Sequence, residues 1–206
     1  MSSVNGNKPV EVMNFGAFTE VIQFIMELDK LKSIYRKNKL LNNERHENTA
    51  EHSWQFAMAA MSFAPYVDGV NVEHAIKLAL VHDVVEIDAG DVLVYDIAAR
   101  EAVREQEVKA AVRIFGLLPS PQNEQFLALW NEYDAAETLD SKFANVIDRV
   151  TPMLLNLHNN GQSWVENNIR LEQVLDRSKF IVDVFPELWE QLLPQLELAQ
   201  KKGWLL

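Results

Sequence analysis

The stretch LALVHDVVEIDAGDVLVYD, residues 78–96, sets His82 and Asp83 inside an apolar run and follows them with Glu86, Asp88 and Asp91. A buried ionisable side chain without a partner is costly, so this pair needs one. His52, in ENTAEHS, and Asp148, in FANVIDRVTPMLL, are in the same position: polar groups among residues that want a core. One divalent cation shared by all four would resolve the problem. Two neutral imidazoles and two carboxylates make four ligands, with open positions left for water and substrate. The plainer alternative is that His82 and Asp83 pair with each other or cap backbone groups, and a His-Asp dipeptide alone does not decide. The ordered set, His52 then His82-Asp83 then Asp148, favours the cation.

Three helices would have to position these ligands. Phe18, Val21, Ile22, Ile25, Leu28, Leu31 and Ile34 recur at helical spacing and predict a first helix over roughly 14–35. RKNKLLNNERHEN, polar and Asn-rich, reads as a loop. Asn48 or Thr49 caps a second helix, which carries His52 and stops near Pro65. Asn71 caps a third, which carries His82 and Asp83 and ends near Ala89-Gly90. Residues 101–115 form a charged helix for the surface, 123–133 another, and 140–157 a long one bearing Asp148. Phe143, Val146, Ile147, Val150, Met153 and Leu154 are the buried face of that long helix. Segments 171–184 and 186–201 complete the set. Period-2 alternation is lacking and there are only seven glycines, which argues against sheet. The expectation is an all-α single domain of about eight or more helices over 14–206, after a flexible N-terminal segment over 1–13.

The chain has 206 residues and no cysteine. That excludes disulfides, thiolate zinc sites and a cysteine nucleophile, so a metal must use imidazole and carboxylate. No apolar run approaches the roughly 18 residues of a membrane span, and the N-terminus lacks a signal pattern. The expectation is a cytoplasmic protein. A formal charge of −11 argues against a nucleic-acid duplex as partner. A small anion is still compatible with that charge. Lys30, Lys32, Arg36, Lys37, Lys39 and Arg45 make a basic segment just before His52, read as phosphate recognition with Arg36 as the bidentate contact. A solvated helix end and loop is the bland alternative.

The order H…HD…D, with ENTAEHS, VHDVVEIDAGD and KFANVIDRVTPMLLN around it, resembles the HD-domain metal-dependent phosphohydrolases, in particular their 5′-deoxynucleotidase-like branch. The likeness covers about residues 14–185, and NNGQSWVENNI is similar to a further subgroup of HD hydrolases. It implies an HD-type helical bundle in which His52, His82, Asp83 and Asp148 bind one divalent metal ion: manganese, cobalt, magnesium or zinc. It implies that Glu86 and Asp91 take part in proton transfer and that Arg36, in LKSIYR, contacts phosphate. Those roles fit the spacing. Glu86 lies three residues after Asp83 and four after His82, on the same face of one helix, and Asp91 follows Gly90 on a loop that can fold back. Lys37 is read with Arg36 as a candidate substrate contact; bacterial deoxynucleotidases often carry an aromatic ring at its position, so the resemblance does not carry over a strict preference for deoxyribose.

The expected activity is hydrolysis of a small phosphomonoester, a nucleoside 5′-monophosphate first of all, by attack of a metal-bound water. The alternatives are an HD hydrolase of another nucleotide (triphosphate, cyclic nucleotide or alarmone) and a non-catalytic metal- or nucleotide-binding protein. Asp88 is the stand-in for Asp91. His46 is read as a surface residue, with substrate contact as the alternative, His74 as a disfavoured candidate for a second metal, and His158 as a partner of its helix C-terminus. The last helix shows an apolar stripe, read as packing on its own domain, with a homodimer interface as the alternative.

Overall fold

Asn48 starts the helix on which His52 rides. Its side chain accepts from the Glu51 backbone N–H at 3.0 Å, and the Glu51 carboxylate accepts from the Asn48 N–H at 3.1 Å. This reciprocal capping box decides between the two expected caps in favour of Asn48. The computed structural model describes residues 13–206, so the segment expected to be flexible lies outside the described residues apart from Met13.

The elements run in order α1 (Thr19–Leu28), β1 (Tyr35–Lys39), β2 (His46–Asn48), α2 (Thr49–Phe63), α3 (Val72–Val81), α4 (Glu86–Ala89), α5 (Ile97–Phe115), α6 (Gln122–Ala135), α7 (Leu139–His158), α8 (Gln162–Glu166), α9 (Leu171–Ser178), α10 (Ile181–Val184) and α11 (Pro186–Lys201). Short 3-10 turns flank α1 at Gly16–Phe18 and Asp29–Ser33, so the predicted first helix is helical nearly throughout but not one α-helix. The all-α reading holds.

Two expectations change. The polar segment after Arg36 is an antiparallel hairpin, β1 with β2, pairing Tyr35 with Asn48 and Lys39 with His46. Sequence pattern missed it because its inward side chains are Arg36, Asn38 and Glu47, so no apolar alternation marks the strands. The third helix also stops sooner than predicted. The last regular α-helical bond is His82 N–H to Leu78 C=O at 3.0 Å. Tighter bonds follow, from Val84 to Val81 at 3.2 Å, Glu86 to Asp83 at 3.0 Å and Ile87 to Val84 at 3.3 Å. In such 3-10 turns side chains at i and i+3 eclipse, which stacks Glu86 over Asp83.

Two buried clusters make the core. One joins Phe56, Leu78, Phe143, Ile147, Met153, Trp164 and Leu196; the other joins Phe24, Leu31, Val81, Val84, Ile114, Phe115 and Trp130. Each large aliphatic buried here contributes about 1.5–3 kcal/mol. α3 feeds both clusters, Leu78 to one and Val81 to the other, so His82 and Asp83 sit at the seam. The stripe of α11 is covered by its own chain, with Leu192, Leu196 and Ala199 buried.

Candidate metal centre

Three helical segments bring four donor atoms together. His52 Nε2 is 2.9 Å from Asp148 Oδ1 and 3.9 Å from Asp83 Oδ2. His82 Nε2 is 2.8 Å from Asp83 Oδ2 and 3.8 Å from Asp148 Oδ1. The donors of His52, His82 and Asp83 all lie within 4.8 Å of one another, and Asp148 closes the ring through the two imidazoles. Ligands held about 2.1 Å from one divalent ion are themselves about 3.0–3.4 Å apart, so these edges bracket what an ion would require.

Ring orientation supports the same use. Nδ1 of His82 faces the Ala79 carbonyl at 2.8 Å, which makes it the donor and turns the Nε2 lone pair into the cluster. That Nε2 is buried and has no hydrogen-bond partner of adequate geometry. Tyr133 O–H donates to the second oxygen of Asp148 at 3.0 Å, fixing the carboxylate plane. Burial would push the Asp148 carboxyl up, but the bond from His52 and the nearby imidazoles outweigh it and hold the carboxyl well below its ordinary range. For His52, burial and the Arg36 charge push the ring down, towards the neutral form a metal needs. The set of two imidazoles and two carboxylates fits a borderline or hard divalent ion.

Arg36 reaches in from β1. Its Nη1 lies 2.9 Å from Asp83 Oδ2 and 3.6 Å from Asp91 Oδ1, and its Nε lies 3.6 Å from Glu47 Oε2. Burial disfavours its charge, yet Asp83, Asp91 and Glu86 raise its pKa further above the usual range. Glu86 is buried and accepts from Thr49 O–H at 2.7 Å. Burial first, then the Asp83 charge, pushes its carboxyl well up. Gly90, at φ +76°, turns the chain so that Asp91 returns to the cluster, where burial pushes its carboxyl up too. The side chain of Lys37 is exposed, and the residue lines the cavity beside the cluster.

The rest of the expected basic segment is neutralised locally. Lys30 pairs with Glu27, Lys32 with Asp29, Lys39 with Glu166 and Arg45 with Glu51. Arg36 alone of the six has its guanidinium among the cluster carboxylates. Asp88, the stand-in for Asp91, turns away to Arg113 at 2.7 Å. His74 pairs with Glu132 at 2.7 Å near the surface, and His158 Nδ1 bonds the Leu154 carbonyl at 2.7 Å at the end of α7, as read from sequence.

Sequence reasoning missed Glu47, Thr49 and Tyr133. Glu47 is buried beside Arg36, with its Oε2 3.8 Å from His52 Nδ1, and burial pushes its carboxyl up to about 7. Its one signal was an acid in a polar segment, which looked like loop. Beside the cluster opens a cavity of about 520 Å³, lined among others by Arg36, Asp91, Tyr95, Tyr133, Arg149 and Trp164. That volume suits a small-molecule ligand.

Comparison with known proteins identifies the family. The HD domain family model matches residues 28–189. The crystal structure of a predicted metal-dependent phosphohydrolase from Magnetospirillum magnetotacticum is 37% identical, with a TM-score of 0.86, covering 91% of this chain and 97% of that one. A 5′-deoxynucleotidase of Schizosaccharomyces pombe is 30% identical over 142 residues, 66% of this chain and 71% of its own. One of Bos taurus is 27% identical over 147 residues, 71% of each chain. The matched stretch carries every donor of the cluster, and the chain belongs to the HD-domain family.

Proposed function

We propose that the chain hydrolyses a nucleoside 5′-monophosphate, using one divalent ion (manganese, cobalt, magnesium or zinc) held by His52, His82, Asp83 and Asp148. The observation that carries this is the convergence of those four donors with Arg36, whose Nη1 is 2.9 Å from Asp83 Oδ2, at the wall of a cavity of about 520 Å³. When bound, such an ion screens the phosphate charge and makes water acidic enough to ionise near neutral pH. Arg36 presents its fork to the phosphoryl oxygens, and the exposed Lys37 adds positive charge at the rim. Glu86 and Asp91 handle protons: one takes a proton from the attacking water, the other gives one to the departing 5′-oxygen. Burial pushes both carboxyls up, the direction that favours proton donation. The 5′-deoxynucleotidase relatives support the substrate class.

Phosphate release from a panel of ribo- and deoxyribonucleotides, each with added metals, tests the proposal. Monophosphates should be turned over and cyclic nucleotides should not. Release from triphosphates or alarmones alone would move the chain to another HD activity, and tight nucleotide binding without release would make it a sensor. No helix among the described residues is long and apolar enough to cross a membrane. We further propose that residues 14–206 fold as one domain and work in the cytoplasm; limited proteolysis yielding a single resistant core would support the first point.

A further inference from the structure

Arg149 follows a proposed metal ligand in sequence, but it serves neither the ion nor the Arg36 cluster. Both oxygens of Asp148 are engaged elsewhere, one by His52 at 2.9 Å and the other by Tyr133 at 3.0 Å. Arg149 forms no ion pair with any described residue, and its buried Nε has no hydrogen-bond partner. It lines the cavity together with Arg100 from α5, which is exposed and likewise forms no ion pair among the described residues. Arg104, one turn along α5, differs: it is matched by Asp134 at 2.6 Å and by Glu107.

Arg36 and Arg149, which both line the cavity, therefore stand in different company. Arg36 is surrounded by Asp83, Asp91, Glu86 and Asp148. Around Arg149 are Asp148, Tyr95, Arg100 and Tyr133, which offer one shared carboxylate, two neutral phenols and a second cation. Asp148 is a neighbour of both. A largely buried guanidinium facing a cavity, next to another cation and without its own carboxylate, is an uncompensated charge that a ligand can match. A nucleobase carbonyl would satisfy its N–H donors but leave both charges standing. A phosphate dianion would satisfy donors and charge together.

We propose that Arg149, with Arg100 beside it, binds a second phosphate of the substrate, remote from the one held at Arg36, so that the preferred substrate class is a nucleoside 3′,5′-bisphosphate. This rests on the hydrolase reading for what happens at the first phosphate, not for the binding itself. A charge-assisted contact of this kind is worth about tenfold or more in affinity.

Thymidine 5′-monophosphate and thymidine 3′,5′-bisphosphate differ only in that second phosphate. Calorimetric titration of the full chain loaded with manganese, with Glu86→Gln as background to stop turnover, should show the bisphosphate binding at least about tenfold tighter. Arg149→Met should bring the ratio of the two affinities close to one. Arg149→Lys should keep part of it. Arg100→Ala, at an exposed position that does not threaten folding, should narrow the ratio about threefold and serves if Arg149→Met does not fold. Equal affinities in the parent chain, or a ratio that survives Arg149→Met or is untouched by Arg100→Ala when Arg149→Met is unfolded, overturns the assignment. Phosphate release by the chain without Glu86→Gln separates the two ideas. Release without the affinity gap removes only the second phosphate site; the gap without release from any nucleotide removes only the hydrolase.

Discussion

The two ends of α3 carry the same chemistry to opposite effect. At its start, His74 Nε2 faces Glu132 at 2.7 Å; just past its end, His82 Nε2 faces Asp83 at 2.8 Å. By distance alone the pairs are alike. The first is partly exposed, and its carboxylate is completed by Thr138 O–H at 2.6 Å, so the pair is self-sufficient. The second is buried and shares its carboxylate with Arg36, while Asp148 and His52 stand within 4 Å. Its Nε2 finds no hydrogen bond of proper geometry. A histidine–carboxylate contact thus means little until one asks which atoms are left over. At the surface water takes the remainder; in the core it must be met from within, and a shared cation is what we propose for it.

Breaking each pair should make that contrast quantitative. His82→Ala is expected to remove bound metal, read by elemental analysis, and to lower phosphate release on the order of a thousandfold. His74→Ala should keep the metal, change turnover by less than about twofold and cost no more than about 1 kcal/mol of stability, since exposed pairs are worth little. Equal losses from both would erase the distinction between the two ends.

Glu86→Gln sharpens the division between holding metal and moving protons. It preserves shape and the Thr49 contact, so metal content should match the parent while kcat falls about 10²–10⁴-fold. Loss of metal in this variant would turn Glu86 into a ligand. Arg36→Met comes next. It should raise KM more than it lowers kcat, by about tenfold or more, as expected for a lost charge-assisted contact to phosphate. Unchanged kinetics would remove Arg36 from the site.

A stability effect concerns Glu47, on the buried side of the comparison. Its carboxyl moves from an ordinary 4.5 to about 7 on folding, chiefly through burial. The fold thus favours the protonated form. That stabilisation is present in full below pH 4.5 and is lost as pH rises through about 7. Glu47→Gln cannot titrate, so with metal chelated, denaturant unfolding should show the parent losing about 3 kcal/mol relative to the variant across that window. Parallel stability curves for the two would show that Glu47 is not buried as an acid.

Much of this was legible in the chain itself. Apolar periodicity around Phe143, Ile147 and Val150 marked α7, and Asn71 marked the start of α3, because helices bury a stripe at fixed spacing and need caps. His52, His82, Asp83 and Asp148 stood out because they interrupt such stripes. The hairpin that delivers Arg36 was not legible, since strands whose inward residues are Arg36, Asn38 and Glu47 carry no hydrophobic alternation. Nor was the tightening after Val81, beside which His82 Nδ1 bonds the Ala79 carbonyl.

What the amino-acid order determined by itself was which helices form and which polar groups they were bound to bury, because propensity, capping and periodicity act between near neighbours. What only the tertiary structure decided was the company those groups keep. Arg36 joined Asp83 across 47 residues, His52 joined Asp148 across 96, and Arg149 was left without a carboxylate of its own. Charge compensation in a core is a matter of a few ångströms in space, and those distances are set by packing.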